Sequence, residues 1–192
     1  MKHSVPKKIL LIAASTGGPG QIQKIIEILP NLQDTSLVIG QHMVDGFMES
    51  FTNRVQSISK NPVTLVKDNQ LFEKSHIYIC QGETALEINF DTLFFTQKLS
   101  SAHSFNPNIN VVFNSFVPLC TNCEILSVVL TGIGDDGVEA CKNLSMKGAR
   151  CLTENQESAI VDGMPHRARE IVPNIEVCDL QTIIKIISEF CE

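Results

Sequence analysis

The chain has 192 residues, a length that buries one substantial core and suits a single domain spanning 1–192. It is 43% hydrophobic and 19% charged, with neither a run of about 18 uncharged apolar residues nor a charged-then-apolar leader, so a globular protein without direct membrane insertion is expected. Its 15 basic residues are scattered among 21 acidic ones for a net charge of −6, which argues against nucleic acid as a partner, and seven cysteines in such a chain read as reduced thiols of the cytoplasm rather than a disulfide framework.

Residues 1–7 are basic, contain Pro6 and read as a flexible tail. An apolar run at 8–14 then predicts a buried strand that stops at Ser15-Thr16-Gly17-Gly18-Pro19-Gly20, after which Ile22, Ile25, Ile26 and Leu29 recur at helical spacing until Pro30. The pattern repeats: 37–40 predicts a strand ending at Gln41-His42-Met43, and 47–58 a helix with Phe47, Phe51, Val55 and Ile58 on one face. Residues 63–66 and 76–80 predict strands, and 85–88 with 93–95 an antiparallel hairpin, an excursion that makes the sheet mixed. Beyond a polar stretch at 101–108, 111–117 predicts a helix and 125–130 a strand that exits into Thr131-Gly132-Ile133-Gly134-Asp135-Asp136-Gly137. Helix 138–146 closed by Gly148, strand 149–153, helix 164–170 and terminal amphipathic helix 180–190 complete the chain.

Strands alternating with helices of crossover length predict an α/β fold of three layers, a mostly parallel, doubly wound sheet with the hairpin as its departure. In such sheets ligands bind outside the carboxyl ends of the strands. The three most polar or Gly-rich exits carry Ser15, His42 and Asp136. A serine hydroxyl needs a histidine to take its proton and a carboxylate to orient that histidine, so the three residue types suit nucleophilic acyl transfer. The turn after Ser15 leaves backbone N–H groups at a helix start, where developing negative charge is stabilised, and Gly132, Gly134 and Gly137 can serve similarly beside Asp136. Taken singly, Ser15 and Asp136 could each just cap a helix, and His42 could hydrogen-bond locally. His3, His76, His103 and His166 are competing bases, less well placed on topology. Cys120 and Cys123 have C-x-x-C spacing but no second ligand pair, so neither a metal nor a cofactor is expected.

The motifs A-A-S-T-G-G-P at 13–19, Q-H-M at 41–43 and T-G-I-G-D-D-G at 131–137 resemble those of the catalytic domain of the chemotaxis protein-glutamate methylesterases, and I-Y-I at 77–79, 106–115 and G-M-P at 163–165 follow in the same order. The resemblance implies Ser15 as nucleophile, His42 as base and Asp136, rather than Asp135, as acid, with backbone support from Thr16, Gly17 and Ile133. It implies hydrolysis of glutamate methyl esters on the cytoplasmic helices of methyl-accepting chemoreceptors with release of methanol; members of the family can also deamidate receptor glutamines. Many members carry an N-terminal receiver domain, for which the seven residues before the first strand leave no room if the chain is complete.

Several positions depart from the family pattern. Ile133 stands for a usual methionine, Cys80-Gln81 for alanine-proline, and Asn106-Pro107-Asn108-Ile109-Asn110 for R-P-S-V-D. At Glu154-Asn155-Gln156-Glu157 the family usually shows Gln-Asp/Asn-Glu, so acidic and amide positions are exchanged. These changes bear on recognition more than on chemistry, and they keep open a second reading as a non-enzymatic module that docks on receptors or binds a phosphate ligand through the turn after Ser15. Against a nucleotide site, that turn lacks both the G-x-G-x-x-G and the P-loop lysine patterns.

Overall fold

The computed structural model describes residues 5–89, 92–98 and 105–192. Along the chain run β1 (Lys8–Ala14), α1 (Gly18–Ile28), β2 (Thr35–Gln41), α2 (Asp45–Ile58), β3 (Val63–Leu65), β4 (Gln70–Leu71), β5 (Ile77–Ile79), β6 (Glu83–Asn89) and β7 (Thr92–Lys98). Then follow α3 (Ile109–Asn114), a 3₁₀ turn (Val117–Thr121), β8 (Glu124–Val129), α4 (Val138–Met146), β9 (Arg150–Glu154), α5 (Gly163–Ile171), β10 (Glu176–Cys178) and α6 (Leu180–Cys191).

Seven strands form one sheet in the order β10-β9-β8-β1-β2-β5-β3, and every pairing within it is parallel. A parallel sheet needs both faces covered, which is why β1 and β2 are continuous apolar runs rather than alternating ones. The period of two divides β1: Ile9, Leu11 and Ala13 pack on the side of α3, α4 and α5, whereas Leu10, Ile12 and Ala14 pack with α1, α2 and α6. Each large aliphatic side chain so buried contributes about 1.5–3 kcal/mol. The three-layer, doubly wound class expected from the sequence is the observed one.

The antiparallel pairing lies outside this sheet. β4, β7 and β6 make a separate three-stranded sheet, so the hairpin does not make the main sheet mixed. Leu86, Leu93 and Phe95 anchor it to a cluster of Phe72, Tyr78 and Phe116. Tyr78 fits there because its hydroxyl accepts the Glu73 N–H (2.9 Å) and donates to the Leu71 carbonyl (3.1 Å); burial pushes its pKa up to about 12.

Other differences from the sequence reading have local causes. β4 and β10 have two and three residues, too few to show a period of their own. The helix expected over 111–117 begins earlier, because the Asn108 side chain accepts the Val111 N–H and starts α3 at Ile109. It ends at Asn114, and the 3₁₀ turn takes up Pro118 near its start, where no N–H is needed. Of the tail expected over 1–7, residues 1–4 lie outside the described residues; Pro6 is buried and the Lys7 N–H donates to the Asp34 carbonyl (2.8 Å). Among the described residues no helix is long and apolar enough to cross a membrane.

Candidate active site

β1 and β2 run side by side with Ala14 opposite Gln41, and Ser15 and His42 continue that register by one residue. The His42 N–H donates to the Ala14 carbonyl (2.9 Å). By the strand period, both residues belong to the face of Ala13 and Gly40, where α3 lies so close that a Cβ on Gly40 would sit 2.9 Å from Ile109 Cγ1. Gln41, almost wholly buried, staples the two exits: its Nε2 donates to the carbonyls of Ser15 (2.9 Å) and His42 (2.8 Å).

Asp136 arrives from the β8 exit and is 3% exposed. Its Oδ2 is 2.7 Å from His42 Nε2 and accepts the Ile109 N–H (2.8 Å), while Oδ1 accepts the Asn110 N–H (3.0 Å). A carboxylate on Nε2 favours the tautomer protonated there, which leaves Nδ1 as the free acceptor of the ring. Asp135, by contrast, is exposed. The Phe105 ring stacks on the imidazole at 4.9 Å and 8°. Asn106 moors Phe105: its carbonyl accepts the Met43 N–H (2.9 Å), and its Nδ2 donates to the Met43 carbonyl (3.1 Å) and to Asp45.

The loop from Thr131 to Gly137 closes over Ser15. The Ser15 N–H donates to the Thr131 carbonyl (3.0 Å), and Gly132 lies so close that an added Cβ would fall 2.7 Å from Ser15 Cβ and 2.3 Å from Met164 Sδ. Gly163 and Met164 hold Gly132 from behind: the Met164 N–H donates to the Gly132 carbonyl (2.9 Å), and a Cβ on Gly163 would meet that same oxygen at 2.6 Å. The backbone N–H groups of Thr16, Gly17 and Ile133 donate to no acceptor among the described residues. Gly17 has φ +85° and caps α1, a left-handed conformation suited to glycine. Ser15 Oγ is likewise without a hydrogen bond there, so the structure brings Ser15 and His42 to adjacent exits without joining their side chains. Such contacts are commonly loose before substrate binds.

A cleft of about 520 Å³ opens beside Asp136, lined by Phe105, Asn108, Asn110, Asn114 and Asp135. The departures at 106–110 take local backbone partners: Asn106 Oδ1 accepts the Gly82 N–H (2.6 Å), Asn108 caps α3, and Asn110 Oδ1 accepts the Ala140 N–H (3.0 Å) in the first turn of α4. Asn108 and Asn110 therefore offer the side-chain acceptors a serine and an aspartate would offer, without the charge.

Two of the competing histidines lie elsewhere. His76 precedes β5 at the amino end of the sheet, 2.6 Å from Thr64 Oγ1 and stacked on Tyr78, where burial lowers its pKa. His166 is an exposed partner of Glu170, and His3 and His103 lie outside the described residues. Burial raises the thiol pKa of Cys120 and Cys123, and both are free.

Residues 10–187 match the family model described as CheB methylesterase. The chain belongs to that family. The protein-glutamate methylesterase/protein-glutamine glutaminase 2 of Carboxydothermus hydrogenoformans is 34% identical over 185 residues, covering 90% of this chain and 52% of that protein. The Escherichia coli (strain K12) protein-glutamate methylesterase/protein-glutamine glutaminase is 31% identical over 180 residues, covering 92% and 51%. The crystal structure of the Thermotoga maritima CheB methylesterase catalytic domain superposes with a TM-score of 0.85 at 27% identity, covering 96% of this chain and 99% of that one. The chain thus spans about half the length of the curated CheB relatives it matches and nearly all of the CheB catalytic domain.

Three features of the site had no role in the sequence reading: Phe105, the contact of Gly163 and Met164 with the loop, and the burial of Glu154, which the sequence showed only as an exchange of acid and amide. An aromatic residue alone in the polar stretch 101–108 was a signal for Phe105. The partners of Gly163 and Glu154 are remote in sequence, and no local pattern points to them.

Proposed function

We propose that the protein is a serine hydrolase that removes methyl groups from glutamate esters on the cytoplasmic helices of chemoreceptors, with Ser15, His42 and Asp136 as its triad. The observation that carries this reading is the 2.7 Å contact of His42 Nε2 with a buried Asp136, next to Ser15 on the neighbouring strand exit. His42 Nδ1 takes the proton as Ser15 Oγ attacks the ester carbonyl. Asp136, itself held by two amides, fixes the ring and stabilises the imidazolium. The unpartnered N–H groups of Thr16, Gly17 and Ile133 are the candidates to receive the oxyanion; one well-placed donor is worth about 3–4 kcal/mol in the transition state. Collapse transfers the proton from His42 to the methoxide leaving group, releases methanol and leaves an acyl-serine. Water activated by the same histidine then restores the hydroxyl and frees the glutamate. Ammonia would leave in place of methanol from a glutamine side chain, the second activity in the names of the relatives.

A complete set of triad residues disfavours a docking-only module. Methanol release from methyl-esterified receptor membranes, compared between wild type and Ser15→Ala at equal folded concentration, tests the proposal. A loss of about 10⁴-fold or more is expected for the variant, and turnover persisting in purified Ser15→Ala would exclude Ser15 as nucleophile.

A further inference from the structure

A second carboxyl is buried at the carboxyl edge of the sheet, at the exit of β9. Glu154 has 0% exposure. Its Oε2 accepts the Thr131 N–H (2.9 Å), and its Oε1 accepts Gln21 Nε2 (2.9 Å) and Ser158 Oγ (3.0 Å). Asp162 is the charged group that acts on it, and Arg169 spans the two, donating to the Glu154 carbonyl (2.8 Å) and to the Asp162 carboxylate (2.6 Å).

Two of the carboxyl's three partners, Thr131 and Gln21, lead to the candidate oxyanion groups. Thr131 precedes Gly132 and Ile133, its carbonyl accepts the Ser15 N–H (3.0 Å), and its hydroxyl donates to the Thr16 carbonyl (2.9 Å). Gln21 sits in the first turn of α1, the helix that opens directly after Ser15-Thr16-Gly17. The side chain of Glu154 thus touches the loop on one oxygen and the nucleophile's helix on the other. We infer that Glu154 is a positioning residue for acyl transfer: its oxygens clamp the loop of Ile133 to the helix that follows Ser15, and so set the spacing between the N–H groups of Ile133 and of Thr16 and Gly17. The inference rests on the triad proposed above.

The acceptor function, not the charge, is what the clamp uses. A glutamine keeps one oxygen for Thr131 and turns an NH₂ toward Gln21, whose Oε1 is buried and unpartnered among the described residues. Ionised Glu154 is costly where it stands, since burial raises its pKa.

The test is the kcat and KM of methanol release from methyl-esterified receptor membranes for wild type, Glu154→Ala, Glu154→Gln and Gln21→Met, at equal folded concentration and well below each Tm. Glu154→Ala is expected to lower kcat by about tenfold or more with KM within about twofold, the mark of a contact that matters only in the transition state. Glu154→Gln is expected to keep kcat within about threefold. Wild-type kcat in Glu154→Ala, an effect on KM alone, or an equal loss in Glu154→Ala and Glu154→Gln overturns the inference. Should Glu154→Ala not fold, Gln21→Met keeps the volume and removes one arm of the clamp; a kcat lowered about threefold or more supports the role, and an unchanged kcat overturns it. Wild type that releases no methanol overturns the triad reading and this inference together, an outcome distinct from an active wild type with an indifferent Glu154.

Discussion

Asp136 and Glu154 are two buried carboxyls at the same edge of one sheet, and their surroundings assign them to different work. Asp136 accepts two backbone amides and the ring of His42, a group able to change charge during a reaction. Glu154 accepts one amide, one carboxamide and one hydroxyl, none of which titrates, and among the described residues no cationic side chain lies on either oxygen to oppose the raised pKa that follows from its burial. On the roles proposed above, similar burial serves proton transfer in one place and bracing in the other. What separates them is the partner, not the depth.

The sharpest way to break this comparison is Asp136→Asn, which keeps the shape but withdraws the acceptor that selects the His42 tautomer. A fall in kcat of about 10³–10⁴-fold is expected, against no more than threefold for Glu154→Gln; comparable kinetics for the two variants would mean that the carboxyls are not divided in this way. Next in size is Gly132→Ala. Its new methyl would press on Ser15 Cβ and Met164 Sδ, at a cost of about 1–3 kcal/mol in stability read by denaturant unfolding, together with a loss of activity that Gly134→Ala cannot be compared with directly, because Gly134 has φ +85°.

Phe105→Ala removes a stacked ring from His42 without touching Asp136. About 0.5–1.5 kcal/mol is expected, seen as a several-fold change in kcat/KM with little change in Tm. The smallest effect concerns pH and stability in Glu154→Gln. Because the folded-state pKa of Glu154 lies above its ordinary value of 4.5, the folded protein holds this proton after the unfolded chain has lost it. Its contribution to stability is therefore full below that value, declines as pH rises through the folded-state pKa, and is flat above it. Urea unfolding of Glu154→Gln across this window should lack that decline, and a profile parallel to wild type would place the titration elsewhere.

Much of the site was legible in the chain. Ser15, His42 and Asp136 stand just after apolar runs long enough to be buried strands, and strand exits are where an open parallel sheet exposes polar side chains. Gly17 and Gly137 stand just before the expected helices, and the structure gives each a left-handed cap. Less legible were contacts between segments far apart in sequence. Phe105 reaches His42 across 63 positions because Asn106 is bonded to Met43, and nothing in the polar stretch itself records that bond. The exchange of acid and amide at Glu154 was visible as a departure, but its partner Gln21 lies 133 residues away.

The sequence by itself determined the alternation of buried strands and amphipathic helices, and hence a parallel sheet with both faces covered, since periodicity and burial are local consequences of residue order. It also showed which exits carry Ser15, His42 and Asp136. The tertiary structure alone decided that the hairpin forms a second sheet, that Asp136 meets His42 through Nε2, and that Glu154 accepts from both the Thr131 N–H and the Gln21 side chain. Those outcomes depend on strand order and on hydrogen bonds between segments that approach only once the core has closed, and a buried polar group takes whichever partner the closed core brings within reach.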